Sequence, residues 1–391
     1  MKTQTKMETE AAQRSLTILG STGTIGCNTL KLVEMHPERF RINTLTACNN
    51  VDELAKQAIT FNAKRAVIAN ESHYAELKKA LSGSSVEALA GDDAIIQAAG
   101  EENDLVMAAI VGAAGLKPTL AAIKNGSTIA LANKESLACA GSLVMKEAAK
   151  HNARILPVDS EHNAIFQLFD AHHPEWINKI TITASGGPFR EWSLAEMENI
   201  TPEQAVKHPN WNMGAKISVD SATMMNKGLE LIEAFHLFPL ESTQFDVIVH
   251  PESVVHCLIH MNDGSVLSQM SCPDMCTPIT NAMAWPERIE APVKPLSLAE
   301  IGSLNFEAPD ETRFPALRLA RSALEAGGSA PTVLNAANEI AVNRFLTKQC
   351  HFLDITTIVE KTLEQMGNTP IGTIDDVLAC DARAREIAEK I

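Results

Sequence analysis

An α/β protein in three parts is what the amino-acid sequence predicts: a doubly wound parallel sheet first, a central α+β domain next, then a run of helices. Three observations carry that prediction. From residue 16 to about 158, short β-rich runs alternate with amphipathic stretches, as parallel strands joined by crossover helices do. From 159 to about 288 the strands lengthen and are interrupted by Gly, Pro and Asn. Beyond a proline-bearing stretch the rest of the chain has helical periodicity.

In order, strands are expected at residues 16–19, 42–47, 65–69, 105–110, 128–131 and 154–158, with helical patterns such as 51–61 and 116–124 between them. The central part offers strands at 179–184, 245–250, 254–260 and 265–270, several of which could pair antiparallel. Residues 287–309 hold Pro292, Pro295 and Pro309 with little periodicity and read as a linker. Helices follow at 315–325, 331–346, 355–366 and 373–391; Pro315 and Pro331 suit a first helical turn and Gly327-Gly328 suits a stop.

Composition narrows the function. A chain of 391 residues has room for two or three domains. Its 33 Lys and Arg against 48 Asp and Glu leave a formal charge of -15, which repels polyanions and argues against a nucleic-acid partner. Aromatics are 4% of the residues and Tyr74 is the single tyrosine, so the core is expected to be aliphatic. Eight cysteines without a C-x-x-C pair read as reduced thiols. The first fifteen residues lack an apolar segment and no run approaches the ~18 residues of a membrane span, which points to a cytoplasmic protein with no membrane partner.

The first strand runs into Gly20, Ser21, Thr22, Gly23, Thr24, Ile25 and Gly26, then a helical stretch. Glycines there let backbone approach a pyrophosphate and leave a helix N-terminus facing the anion, as in Rossmann-like domains; an ordinary tight turn would look similar. At the end of the second strand stand Cys48, Asn49 and Asn50, with no acid to repel a 2′-phosphate. No Lys or Arg sits at that turn, and Asp52 is nearby.

Asp159, Ser160 and Glu161 follow the strand at 154–158; two carboxylates at i and i+2 could chelate a hard cation, or Asp159 or Ser160 could merely cap the next helix. Asn226 and Glu230 share a helix face with Lys227 beside them, either as a third ligand and its neighbours or as a surface ion pair. The loop Ser185-Gly186-Gly187-Pro188, with Ser221, Asn226 and Lys227, would make a phosphate cradle through exposed backbone N–H groups, unless it is a plain loop. Between Pro209 and Gly214, Trp211 and Met213 suit a lid that excludes water, or else simply pack. His256 and His260 read from spacing as ordinary strand positions.

Together, residues 20–26, 132–136, 156–163, 184–190 and 225–230, extended by the Pro273-Asp274-Met275 loop, Ala284-Trp285-Pro286 and 335–339, resemble the 1-deoxy-D-xylulose 5-phosphate reductoisomerases over nearly the whole chain. The Cys48-Asn49-Asn50 turn departs from the basic or Ser residue many members carry there. The resemblance implies an NADP-dependent oxidoreductase that rearranges 1-deoxy-D-xylulose 5-phosphate and reduces it with NADPH and a divalent metal (Mg²⁺, Mn²⁺ or Co²⁺) to 2-C-methyl-D-erythritol 4-phosphate, in the non-mevalonate isoprenoid pathway. It implies Asp159, Glu161 and Glu230 as metal ligands, with Lys134 and His256 also catalytic. Ser160, Ser185, His208, Trp211, Met213, Ser221, Asn226 and Lys227 would bind substrate. Gly20 to Gly26, Cys48, Asn49, Asn50, Asn133, Glu135 and Gly214 would bind the nucleotide.

The implied organisation is a Rossmann-like NADPH-binding domain at 1–158, a catalytic α+β domain at 159–288 with a flap at 206–216, a linker at 289–311, and a C-terminal helical bundle at 312–391. A homodimer and binding of phosphonate-hydroxamate inhibitors of the fosmidomycin type are implied as well. Two rival readings are a sugar-phosphate dehydrogenase that performs no rearrangement and a non-catalytic nucleotide-sensing protein.

Overall fold

The structure is a computed structural model that describes residues 13–391 apart from Asn212. Positions 1–12 of the polar N-terminal stretch, and Asn212 within the expected flap, lie outside the described residues.

Seven strands, β1 (Arg14–Leu19), β2 (Phe40–Ala47), β3 (Arg65–Ile68), β4 (Glu87–Ala90), β5 (Leu105–Ala108), β6 (Thr128–Leu131) and β7 (Arg154–Pro157), form one parallel sheet in the order β4-β3-β2-β1-β5-β6-β7. Alternate side chains feed different cores. Leu16, Ile18, Leu105, Met107, Ala130 and Leu156 pack on one face, and Leu19, Val106, Ile129 and Leu131 on the other. Both faces are therefore covered by helices, which is why the central β5 reads as a continuous apolar run, Leu-Val-Met-Ala. The strand order reverses at β1, so the carboxyl ends of β1 and β5 open a crevice where ligands of such sheets bind.

β4 was not anticipated from sequence. Its Glu-Ala-Leu-Ala composition is poor in β-branched residues, and it is extended because residues 87–90 pair in register with 65–68 of β3 at the sheet edge.

A second sheet holds β8 (Ile177–Ala184), β9 (Phe245–Val249), β10 (Val255–Met261) and β11 (Val266–Met270) in the order β11-β10-β8-β9. The expected antiparallel pairing occurs at β8/β10 and β10/β11, while β8 and β9 run parallel. Helices Ala316–Ala326, Ala330–Leu346, Asp354–Met366 and Ile374–Ala388 form the C-terminal group, and Thr373 and Asp376 close a capping box on the last. Leu317, Leu334, Ile355 and Ile358 join Ile180, Ile182, Leu229 and Ile232 in a single core.

Two features lie across the expected boundaries. The helix Cys276–Ala284 falls within the 159–288 stretch, yet Ile279, Ala282 and Met283 pack on the first sheet with Leu16 and Leu105. Residues 289–311 include the short helix Leu298–Ile301, and Glu307 pairs antiparallel with Val249.

The helix Lys134–Lys150 crosses the helix Met225–Leu237 closely. A Cβ on Gly141 would stand 2.1 Å from the His236 ring, so glycine sets that separation. The crossing brings the start of one helix against the middle of the other. All eight cysteines are free.

Candidate active site

The glycine turn sits at the β1/β5 crevice. Gly20 has φ of 88°, and a Cβ there would lie 2.8 Å from the Ala109 carbonyl oxygen; on Gly26 it would lie 2.4 Å from Ser21 Cα. Those two glycines let the turn close. Gly23 differs: its nearest neighbour would be 3.5 Å away, and it caps the helix Thr24–Met35 with no side-chain hydrogen bond. The first N–H groups of that helix are therefore available to an anion. Ser21 Oγ is buried without a partner beside them. Cys48, Asn49 and Asn50 are exposed at the end of β2, where the Asn50 side chain caps the helix Val51–Thr60.

From this crevice a cleft of ≈ 470 Å³ runs past Lys134 to the second sheet. Asp159, the N-cap of the helix Ser160–Leu168, Glu161 in its first turn, and Glu230 bring carboxylate oxygens within 4.8 Å of one another. Three hard oxygen donors at that separation fit a divalent cation of the Mg²⁺ type. Lys134 Nζ lies 2.5 Å from Asp159 Oδ2 and 3.0 Å from Glu230 Oε1, and donates to Asn226 Oδ1 at 2.7 Å. Ser160 Oγ donates to Glu161 at 2.7 Å.

Burial works against every charge here, and the neighbours decide the outcome. It would lower Lys134, but Asp159 and Glu230 hold that ammonium well above its ordinary value. It would raise Asp159, but Lys134 and His162 hold it below the usual carboxylate range. Glu161 is pushed up to about 8 by burial and by the Glu230 charge, against the pull of Lys227.

A second set of ligand-type residues, Asp159, His162 and Glu233, shares Asp159. His162 is fully buried, with Nε2 2.9 Å from the Glu230 carbonyl oxygen and Nδ1 3.1 Å from Glu233 Oε2, the latter an ion pair rather than an aligned hydrogen bond. Although burial opposes its charge, Glu233 raises it to about 9. With Nε2 on the Glu230 carbonyl and Nδ1 facing Glu233, this ring links the Asp159 helix to the Glu230 helix. Sequence reasoning missed it; the available signal was Glu233 three residues after Glu230.

At the other end of the cleft, Ser185 Oγ stands 2.9 Å from His208 Nε2 and 3.5 Å from Ser221 Oγ. Of the expected nest, Gly186 lines the cleft, while the Gly187 N–H donates to Ser185 Oγ at 3.2 Å. Lys227, expected at this phosphate end, lines the same cleft as Ser185 and Ser221 and is paired with Glu161 Oε1 at 3.0 Å and with Glu230, which stabilise its buried ammonium.

Of the expected flap at 206–216, residues 206–211, 213 and 214 are irregular, while Ala215 and Lys216 open the helix Ala215–Ala222. His208 Nδ1 accepts from the Asn210 and Trp211 N–H groups at 3.1 and 3.0 Å, so the neutral ring donates from Nε2 to Ser185. Asn210 Nδ2 donates to the Pro251 carbonyl at 2.5 Å and to Ser253 Oγ at 3.1 Å. The Trp211 ring meets His256 edge-on at 6.4 Å, and His256 Nε2 is 2.9 Å from Ser271 Oγ. Burial pushes His256 down to about 4. It thus lies against the flap indole and lines the same cleft as the three carboxylates. Met213 and Gly214 also line the cleft, as does Glu135, whose carboxylate is bound by Lys216 at 2.8 Å and by Asn133. Lys216 and Asp220 were not singled out by sequence.

A nucleotide crevice that opens without a break into a cation-ready acidic cleft under a lid defines an oxidoreductase that works on a small anionic substrate with a nicotinamide nucleotide and a divalent metal. Its sequence places it further. Residues 16–141 match the model of the family 1-deoxy-D-xylulose 5-phosphate reductoisomerase, 155–238 match that family's C-terminal domain, and 270–387 match the DXP reductoisomerase C-terminal domain. The chain belongs to the 1-deoxy-D-xylulose 5-phosphate reductoisomerase family.

Its similarity to the reductoisomerase of Zymomonas mobilis is 55% identity over 95% of this chain and 96% of the relative, and to that of Rhodospirillum centenum 54% over 97% and 94%. The solved Zymomonas mobilis enzyme in complex with NADPH superposes with a TM-score of 0.91 at 54% identity, covering 97% of this chain and 98% of that one. A DOX-P reductoisomerase in complex with NADPH, fosmidomycin and magnesium gives 0.93 at 47%, covering 96% and 98%.

Proposed function

We propose that the cleft converts 1-deoxy-D-xylulose 5-phosphate to 2-C-methyl-D-erythritol 4-phosphate with NADPH and a divalent cation. The observation that carries this reading is the approach of Lys134, from the carboxyl end of the nucleotide sheet, to Asp159 and Glu230 of the acidic cluster. That approach supports a reading in which reduction and metal-assisted rearrangement occur within one side chain's reach of each other.

Asp159, Glu161 and Glu230 would hold Mg²⁺, Mn²⁺ or Co²⁺. When bound, such a cation polarises adjacent carbonyl and hydroxyl oxygens. The Gly20–Gly26 turn and the free helix N-terminus would hold the pyrophosphate, with Cys48, Asn49 and Asn50 at the adenosine end. Ser185, Ser221, Asn226 and His208 would grip the substrate phosphate, with Lys227 and Ser160 between it and the cation. Because a carbon–carbon bond breaks and reforms, both fragments must stay in register; this anchor and the Trp211–Met213 lid keep them there and exclude water. Lys134 would orient the carbonyl toward the nicotinamide, and His256 would support the closed indole.

Binding of fosmidomycin-type phosphonate hydroxamates, a homodimeric state and a cytoplasmic location belong to the same reading. Among the described residues no helix is long and apolar enough to cross a membrane. The test is NADPH oxidation with 1-deoxy-D-xylulose 5-phosphate, with and without EDTA, compared with NADH, and product analysis by NMR. An unbranched product would favour a simple sugar-phosphate dehydrogenase, and no oxidation at saturating Mg²⁺ a nucleotide-sensing protein.

A further inference from the structure

We infer that Lys216 is a positioning residue that ties the exit of the flap to the nicotinamide end of the cleft. The inference rests on the reading above for what the flap covers. The flap's entry is anchored on the second-sheet side, by His208 on Ser185 and by Asn210 on Pro251 and Ser253. Its exit is anchored elsewhere. Two residues past Gly214, Lys216 Nζ stands 2.8 Å from Glu135 Oε1 and 2.8 Å from Asp220 Oδ2.

Both acceptors are fixed from behind. Glu135 is 5% exposed and its other oxygen accepts from Asn133 Nδ2 at 3.2 Å; the same Asn133 caps the helix Lys134–Lys150 and donates to the Ile110 and Gly112 carbonyls beyond β5. Asp220 is 1% exposed and accepts from Asn338 Nδ2 of the helix Ala330–Leu346 at 2.8 Å. One ammonium therefore joins the flap's exit, the residue beside Lys134, and the C-terminal helices. None of its ion pairs is with Asp159, Glu161 or Glu230. Burial opposes the Lys216 charge, but Asp220 and Glu135 hold it protonated. Without it, two buried carboxylates that share one site repel each other and the flap's exit loses its seat.

Full-length Lys216→Met, Lys216→Arg and Lys216→Met/Asp220→Asn proteins test this by steady-state kinetics, thermal melting and trypsin cleavage at the exposed Lys207. Lys216→Met is expected to raise the substrate KM at least ~10-fold with kcat changed less than ~3-fold, the split that marks lost binding without lost chemistry. Cleavage at Lys207 should quicken, and Lys216→Arg should restore both. The double variant, which removes one uncompensated charge, should recover melting temperature but not KM, and it carries the test if the single variant does not fold. A wild-type KM and cleavage rate in Lys216→Met, or a KM that recovers together with stability in the double variant, overturns the inference. Failure of the wild-type protein to oxidise NADPH would count against the functional reading instead, since the cleavage readout is independent of turnover.

Discussion

The Lys134 ammonium lies 3.0 Å from Glu230 Oε1, although the two residues belong to helices attached to different sheets. The close crossing at Gly141 and His236 makes that contact possible and places Glu230 at the meeting point of Lys134, Lys227 and Asn226. Glu230→Gln keeps the side chain's volume and removes its charge. Turnover should fall at least ~10²-fold, the scale on which preorganised electrostatic groups act, while circular dichroism stays that of the parent. Near-normal turnover at saturating Mg²⁺ would rule out the ligand role.

Trp211 contributes its indole between the flap and His256. Truncation to Ala should chiefly impair capture and closure, raising the substrate KM and weakening fosmidomycin by at least ~10-fold. Titration calorimetry with the inhibitor checks this, and unchanged affinity would remove the lid function from this residue.

Burial depresses His208 to about 4, below its ordinary 6.5. A proton therefore binds the released flap more tightly than the closed one. The ring's contribution to closure is complete above pH 6.5 and is lost progressively as pH falls through about 4, where Nδ1 can no longer accept from Asn210 and Trp211. Tryptophan fluorescence followed from pH 7 to 4 should report that opening, and His208→Gln should flatten the profile. A profile identical in both proteins would place the transition elsewhere.

Gly23 and Gly26 should respond differently to the same change. Alanine at Gly26 would press on Ser21 and deform the turn, an overpacking cost of about 1–3 kcal/mol, so melting temperature should drop together with NADPH affinity. Alanine at Gly23 meets nothing closer than 3.5 Å, so stability should hold while NADPH Kd rises at least ~10-fold, because the added methyl stands where a pyrophosphate approaches. Equal NADPH affinity in Gly23→Ala and the parent protein would move the pyrophosphate away from this turn.

Much of the fold was legible because its strands carry their signal locally. β1, β5 and β6 are apolar on both faces and follow the alternation of strand and helix, so their positions can be read from short windows. The C-terminal helices announce themselves through amphipathic periodicity and the glycines at 327 and 328. β4 was hidden, because its four residues are strand only through pairing with β3. The helix Cys276–Ala284 was assigned to a catalytic stretch, since nothing local says which sheet its apolar face will meet.

For the site, the sequence by itself determined which chemical groups are available: a glycine turn after the first strand, carboxylates at 159 and 161, an Asn-Lys-Glu helix face, and an indole between a proline and a glycine. Tertiary structure alone decided what each group faces. It paired Lys227 with Glu161 and Glu230, gave the Gly187 N–H to Ser185 Oγ, buried His162 against Glu233, and set Lys216 between Glu135 and Asp220. The physical reason is that each of these contacts joins residues brought together by helix crossings and sheet order. A buried charge takes the nearest opposite charge in space, and spacing along the chain does not reveal which that will be.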